Sequence, residues 1–209
     1  MAFSGVPHAA SEFYAALERD NSTAFWQAHK EQWERDVRAP MIALMAGLEE
    51  EFGPAKVFRP HRDVRFSADK SPYKTHQGGY VGVTARTGWY AEVSADGFRL
   101  GAGSYHLEPQ ALAAYRAGVD GPAGAELERL VTVLRDGGWE VGGERLRTAP
   151  RGWSRDHPRI ELLRHRALTA MRWIEDGDIV TTPALLEHVR VHWREVRPLV
   201  DWLERVVGG

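Results

Sequence analysis

Cysteine is absent from this 209-residue chain. That excludes a disulfide framework, thiol catalysis and every zinc or iron-sulfur site that depends on thiolates, and it suits a reducing compartment. Long apolar runs are missing as well, so no segment reads as a membrane span, and the opening Met1-Ala-Phe-Ser-Gly-Val-Pro-His8 lacks the basic start and apolar stretch of a secretory signal. The expectation is a cytoplasmic protein with no membrane partner. Lysine is the third scarcity: there are four, against 23 arginines. Three of the four fall between Lys56 and Lys74. A chain that writes its positive charge as arginine, yet places ammonium groups in one short segment, points to a use for a compact, rotatable point charge there.

What is present fits one globular domain of residues 1–209, with 43% hydrophobic residues to furnish a core. From Lys56 to His76 six Lys/Arg stand against two Asp, a net of +4; because the whole chain carries -2, the remainder carries -6. A basic island on an acidic body concentrates small anions without making the protein a general polyanion binder, so nucleic acid is a possible but not a favoured partner. The competing reading is structural, with Asp63 and Asp69 neutralising their neighbours in an internal ion-pair network.

The periodicity predicts an α+β fold with N-terminal helices, a central, mostly antiparallel sheet and a long C-terminal helix. Ser11 is read as the cap of a first helix through Phe13, Tyr14 and Leu17, and Asp20-Asn21-Ser22 as a break before a second through Trp26, Trp33 and Val37. Pro40 interrupts or kinks that helix, and Ile42, Leu44, Met45 and Leu48 continue the pattern to a stop at Phe52-Gly53-Pro54. Residues 80–83, 89–93 and 98–100 read as strands, with Ala95-Asp96-Gly97 as a turn. Helices follow from Pro109 and Ala123. Gly142-Gly143 suggests a hairpin joining 139–141 to 145–146, Asp156 a cap for a short helix over 158–165, and 168–174 a strand. The last helix, from Thr182-Pro183, should bury Leu185, Val189, Trp193, Val196, Val200 and Leu203.

The candidate site is the segment Arg59 to His76. Proline at 60 denies it a regular helix, and on a strand Val64 and Phe66 would face the core, with Asp63 and Arg65 opposite and Arg62 on the core side unless it stands at the entrance. Ser71-Pro72 then stiffens a platform carrying Lys70, Tyr73, Lys74 and His76. Arginine grips a carboxylate or phosphate with paired hydrogen bonds, lysine adds a mobile donor and tyrosine a neutral one. Arg62, Arg65, Lys70 and Lys74 are therefore expected to contact a small anionic ligand. Asp63 and Asp69 would orient the cations, Arg59 would support them, and Tyr73 and His76 would line the pocket. An enzyme using the same patch, with Asp63 or His76 as proton carrier, is the alternative. A nucleic-acid or protein interaction module is a third.

The order Arg59-x-x-Arg62-Asp63-x-Arg65-Phe66, followed by Asp69-Lys70-Ser-Pro-Tyr73-Lys74, resembles the signature of the uncharacterised bacterial family DUF2461. The resemblance extends to the Asn21 to Trp26 opening, the passage from Gly101-Ala-Gly103 to Pro109, and Leu146 to Gly152 with Asp156-His157-Pro158. Trp26 and Trp153 stand where other aromatics are common in that family. The resemblance implies a shared fold and a shared site at residues 59–74, and it carries no known reaction and no cofactor.

Other motifs are weaker. His188 and His192 lie one helical turn apart without the glutamate of a zinc-protease motif, so no metal site is expected. Gly101-Ala-Gly-Ser-Tyr lacks the spacing of a phosphate-binding loop, and close strand packing accounts for it. There is no nucleophile elbow. Arg147, Arg151, Arg155 and Arg159 form a second basic run, read as a solvated face. Trp26, Trp173, Trp193 and Trp202 are core candidates, and Trp153, in a basic loop, is a candidate for stacking on a ligand.

Overall fold

The structure, a computed structural model, describes residues 3–63, 65, 69–83 and 86–208. It is α+β, and among the described residues six strands form an antiparallel sheet in the order β1-β2-β3-β4-β6-β5. The chain divides into two compact units, one of Met1–Val81, Tyr90–Leu100 and Trp173–Arg190, the other of Gly82–Trp89, Gly101–Arg172 and Val191–Gly209.

In the first unit, α1 (His8–Arg19) starts three residues before the expected cap, after an extended Pro7. Proline lacks the N–H that a helix start leaves unpaired, so Pro7 stands as the cap residue before His8 and Ser11 lies inside the helix. Ser22 does cap α2 (Thr23–Trp33), its hydroxyl accepting from the Phe25 N–H at 3.1 Å. The effect of Pro40 is visible as a π-helical turn over Glu34–Arg38, in which the Ala39 N–H reaches back to the Glu34 carbonyl before α3 (Ala39–Ala46) resumes. A widened turn of this kind lets a helix pass a proline that cannot donate. After α4 (Glu49–Phe52), β1 (Ala55–Val57) pairs antiparallel with β2 (His76–Gly82), Lys56 opposite Tyr80. Phe13, Tyr14, Leu17, Trp26, Trp33, Leu44 and Met45 are buried with Val81, Ala91 and Val93.

The hairpin of β3 (Thr87–Ser94) and β4 (Gly97–Ser104) turns through Ala95 and Asp96 as the sequence predicts. In the second unit, Gly103 has φ +120° and a Cβ there would collide with the Leu168 carbonyl, so the glycine is required by the approach of β4 to β6 (Leu168–Trp173). Helices α5 (Pro109–Asp120) and α6 (Ala123–Asp136) bury Tyr115, Val119, Leu127 and Val131.

Two local expectations are corrected here. The Gly142-Gly143 hairpin does not form: β5 (Glu140–Gly142) pairs with β6, Val141 opposite Ala170, while Arg145 bridges His165. Gly143, at φ +120°, brings the backbone against the Ala167 carbonyl and lets the chain continue along its partner. Asp156 caps nothing at the start of α7 (Ile160–Leu163); it is the His157 ring that accepts from the Arg159 N–H, at 3.0 Å.

After a single turn, α8 (Gly177–Val180), the chain ends in α9 (Ala184–Val207). The six apolar residues expected to face the core are all fully buried. No helix of the described residues is long and apolar enough to cross a membrane.

Candidate functional site

The segment from Arg59 to His76 extends the β1/β2 pair and is not a free-standing strand. Phe58 N–H donates to the Gly78 carbonyl, Lys74 N–H to Pro60 and Arg62 N–H to Pro72, with His61 bridged to Tyr73. Among the described residues, pairing therefore runs to Arg62 and resumes at Pro72. The strand reading of 61–66 is corrected to that extent; Val64 and Phe66 lie outside the described residues. Two proline carbonyls serve as acceptors, so Pro60 and Pro72 join the ladder without donating to it.

Tyr73 anchors the platform. It is 4% exposed and stacks on Trp26 with ring centroids 4.3 Å apart. Its backbone is clamped by Asn21, whose side-chain amide donates to the Tyr73 carbonyl and accepts from the Tyr73 N–H, both at 3.1 Å. The Asn21 to Trp26 opening and the basic motif are thus one structural unit, and Tyr73 is turned inward.

Around that anchor the charged side chains fall into two groups. On the loop, Asp63 holds Arg65 through two side-chain bonds of 2.9 and 2.6 Å, and hydrogen bonds from Arg65 keep the Asp63 carboxyl down at about 2. The pair faces water, with the Arg65 side chain 76% exposed. Asp69 accepts from the Ser71 hydroxyl and N–H and pairs with Arg62; the Ser71 bonds, first of all, lower its pKa. Lys70 is exposed.

The second group converges toward β2. The Lys74 ammonium lies 5.1 Å over the Phe58 ring, and Phe58 is fixed by Gln77, whose amide donates to its carbonyl at 2.8 Å. Burial lowers the Lys74 pKa, and the neighbouring Arg59 and Arg62 charges lower it further. Among the described residues neither Lys74 nor Arg59 forms an ion pair. His76 follows, its Nε2 4.0 Å from a Glu92 oxygen. Burial depresses the imidazole pKa; Glu92 opposes this, while Lys74, Arg99 and Arg62 add to it.

Glu92, Tyr90 and Arg99 were not singled out from the sequence. The Glu92 side chain is 6% exposed; it accepts from the Tyr90 hydroxyl and from Arg99 at 2.5 Å. Burial first, and then Glu92, raise the Tyr90 pKa, so the phenol stays protonated and donates. Arg99 also stands 5.0 Å over the ring of Trp173, which is half-buried and not the core residue expected. Gly78 makes room: a Cβ there would lie 2.5 Å from the Tyr90 oxygen. A signal existed, because a two-residue turn at Ala95-Asp96 sets Glu92 across from Arg99, and charges at those strand positions need partners.

In the other unit the second basic run is mostly as expected. Arg147, Arg151 and Arg155 are exposed, but Arg159 is drawn inward by Glu128 at 2.6 Å and the Val119 carbonyl at 3.2 Å. His192 is buried beside Trp139, and the described residues contain no group of three His, Asp or Glu placed to hold a metal ion.

Residues 9–202 match the model of the family described as conserved hypothetical protein (DUF2461). The chain belongs to the DUF2461 family. No curated protein and no solved structure matches it significantly. The family match covers both units, and it includes the Asn21 clamp, the basic motif and the Glu92 hairpin.

Proposed function

We propose that this DUF2461 protein binds a small phosphorylated or carboxylated anion in the cytoplasm, through Lys74, Arg59 and Arg62, with His76 at the edge of the site. The observation that carries the reading is the part-buried Lys74 ammonium over Phe58, its pKa lowered by burial and by the charges of Arg59 and Arg62, and unpaired with any described carboxylate. Like charges gathered in a partly desolvated place are unfavourable alone and favourable around an anion. Asp69 holds Arg62 in position, and the stacked Tyr73 fixes the backbone from which Lys74 projects. Arg65 and Lys70 are peripheral to this arrangement.

Thermal unfolding with inorganic phosphate, pyrophosphate and citrate, each against sodium chloride at equal ionic strength, tests it. At least one anion should raise the Tm of the wild type. K74M, which keeps the side-chain stem over Phe58, should lose most of that rise. Equal shifts in wild type and K74M, or none beyond the chloride control, would refute the reading. Affinity for oligonucleotides that grows with length and falls steeply with salt would instead favour a polyanion.

A second reading rests on the His76 and Glu92 pair. A neutral imidazole near a carboxylate already held by Tyr90 and Arg99 is an arrangement suited to proton transfer beside a bound anion. Turnover of a phosphate or carboxylate ester that disappears in both H76A and E92Q supports it. Undiminished turnover in either variant removes that residue as a catalyst.

A further inference from the structure

Trp153, Arg116 and Arg166 have no part in the basic motif, and they meet at a concavity lying wholly within the other unit. The cavity measures about 540 Å³, in the range of small-molecule sites. One wall is apolar, formed by Leu107 and, along α5, by Pro109, Leu112 and Ala113. Arg116 follows one turn further along the same helix face, and Trp153 and Arg166 join it in the lining.

We propose that this cavity binds a small apolar carboxylate, with the carboxylate on Arg116 and the hydrocarbon body between Leu112 and the Trp153 ring. The first argument is the state of Arg116. Its Nε donates to the Leu163 carbonyl at 3.3 Å, which fixes the guanidinium plane from behind. Its two terminal nitrogens have no hydrogen-bond partner among the described residues, and no described carboxylate pairs with it. Burial lowers its pKa, the nearby Arg166 charge lowers it further, and Tyr115 opposes both, so this part-buried cation has no carboxylate to offset its neighbour's charge. Arg166, by contrast, is neutralised by Glu144 at 2.7 Å.

The chemistry of the walls selects the ligand class. The two terminal nitrogens of Arg116 match the two oxygens of a carboxylate, whereas a phosphate dianion calls for a second uncompensated cation, and Arg166, already paired with Glu144, does not supply one. The acidic group on the rim, Glu108, is engaged by Arg86 at 2.9 Å and His106 at 3.6 Å, so it does not take the Arg116 fork. The Arg116 guanidinium carbon stands 6.0 Å over the Trp153 ring, at the outer limit of a cation-π contact, and the indole lines the same cavity beside the fork. Apolar area beside one charged fork favours a ligand such as an aryl or short alkyl acid over a sugar phosphate or nucleotide.

Saturation-transfer NMR on the full chain provides the test, with phenylacetate, phenethylamine and phenyl phosphate as probes. Phenylacetate should receive transfer and bind with a millimolar or lower Kd, phenethylamine should not, and phenyl phosphate should bind more weakly than phenylacetate. R116M should weaken phenylacetate by about tenfold or more, the loss of one charge-assisted pair, while W153A should weaken it several-fold. R116K keeps the charge but not the fork; it should also weaken binding, and it serves if R116M does not fold. K74M should bind phenylacetate as the wild type does. No transfer to phenylacetate, equal transfer to the amine, tighter binding of phenyl phosphate, or full affinity in both Arg116 variants would each overturn the proposal. Loss of phenylacetate in K74M with retention in R116M would place the acid at the Lys74 site, a result that supports the proposed function and refutes this one.

Discussion

The two arginine-rich regions of the chain neutralise themselves differently. In the segment from Arg59 to His76 the available carboxylates are spent within the loop itself, Asp63 on Arg65 and Asp69 on Arg62, which leaves Lys74 and Arg59 in surplus. In residues 144–166 four arginines are answered within their unit, Arg145 and Arg164 by Glu161, Arg159 by Glu128 and Arg166 by Glu144, while Arg147, Arg151 and Arg155 stand exposed without an ion pair among the described residues. Arg116, which belongs to neither run, is a part-buried cation of that unit with no ion pair among the described residues. Density of charge in the sequence therefore marks a region, whereas the part-buried cation that remains after pairing marks a candidate site.

The largest effect expected in this comparison concerns the anchor of the first region. Tyr73→Ala removes a buried ring stacked on Trp26 and should cost about 3 to 5 kcal/mol in urea unfolding, a typical loss for a large core aromatic. It should also abolish any anion-dependent rise in Tm, because the Asn21 clamp and Lys74 depend on the same backbone. A variant that loses stability yet keeps the anion response would separate the platform from the site.

Next in size is the floor under His76. Arg99→Ala leaves the Glu92 carboxylate buried with only the Tyr90 hydroxyl as a strong partner, and removal of one member of such a pair costs about 3 kcal/mol or more. Replacing both, as Glu92→Leu with Arg99→Met, should recover most of that loss. If the double variant is as unstable as the single, the pair is not what stabilises the hairpin.

These residues also show how far the sequence could be read. Helical periodicity identified the buried face of α9 residue by residue, since a solvent-facing stripe and a core stripe differ at every turn. The basic motif was recognisable as a unit from its residue order. What the motif could not reveal was its supports. Asn21 lies 52 positions before Tyr73, and Glu92 is reached through a hairpin whose register has to be worked out before Arg99 is seen to face it. Local signals failed where two were in competition: Ser11 against Pro7 for the helix start, and a Gly-Gly turn against pairing with β6 for residues 140–146. Gly142-Gly143 has the composition of a turn, and only the position of the partner strand decides that it is not one.

Lys74 and Arg65 give the direct contrast within the first region. K74M should reduce the apparent affinity for the stabilising anion about tenfold, equal to about 1.4 kcal/mol. R65A should change it less than about twofold, because an exposed, already paired arginine has little left to offer. Isothermal titration at fixed ionic strength measures both. Equal losses would mean that Arg65 exchanges Asp63 for the ligand, and the loop would then belong to the site.

The smallest effect is a pH dependence shared by both units. His76 in one and His165 in the other each have a pKa lowered chiefly by burial. Each is therefore neutral in the fold at a pH where the unfolded chain, with an ordinary value near 6.5, has begun to take up a proton. The stability they contribute is present above that value and is lost as pH falls from it toward the folded pKa. Unfolding free energy measured from pH 8 to 5 should decline below about 6.5, and H76N and H165N should each make the decline shallower. The two differ in what opposes them: His76 has Glu92 beside it, whereas His165 donates its Nδ1–H to the Ala167 carbonyl at 3.0 Å. A saturating anion at the Lys74 site would favour the His76 imidazolium and flatten the curve further, and it should do so in H165N but not in H76N. A flattening of the same size in both variants would show that the bound anion does not act through His76.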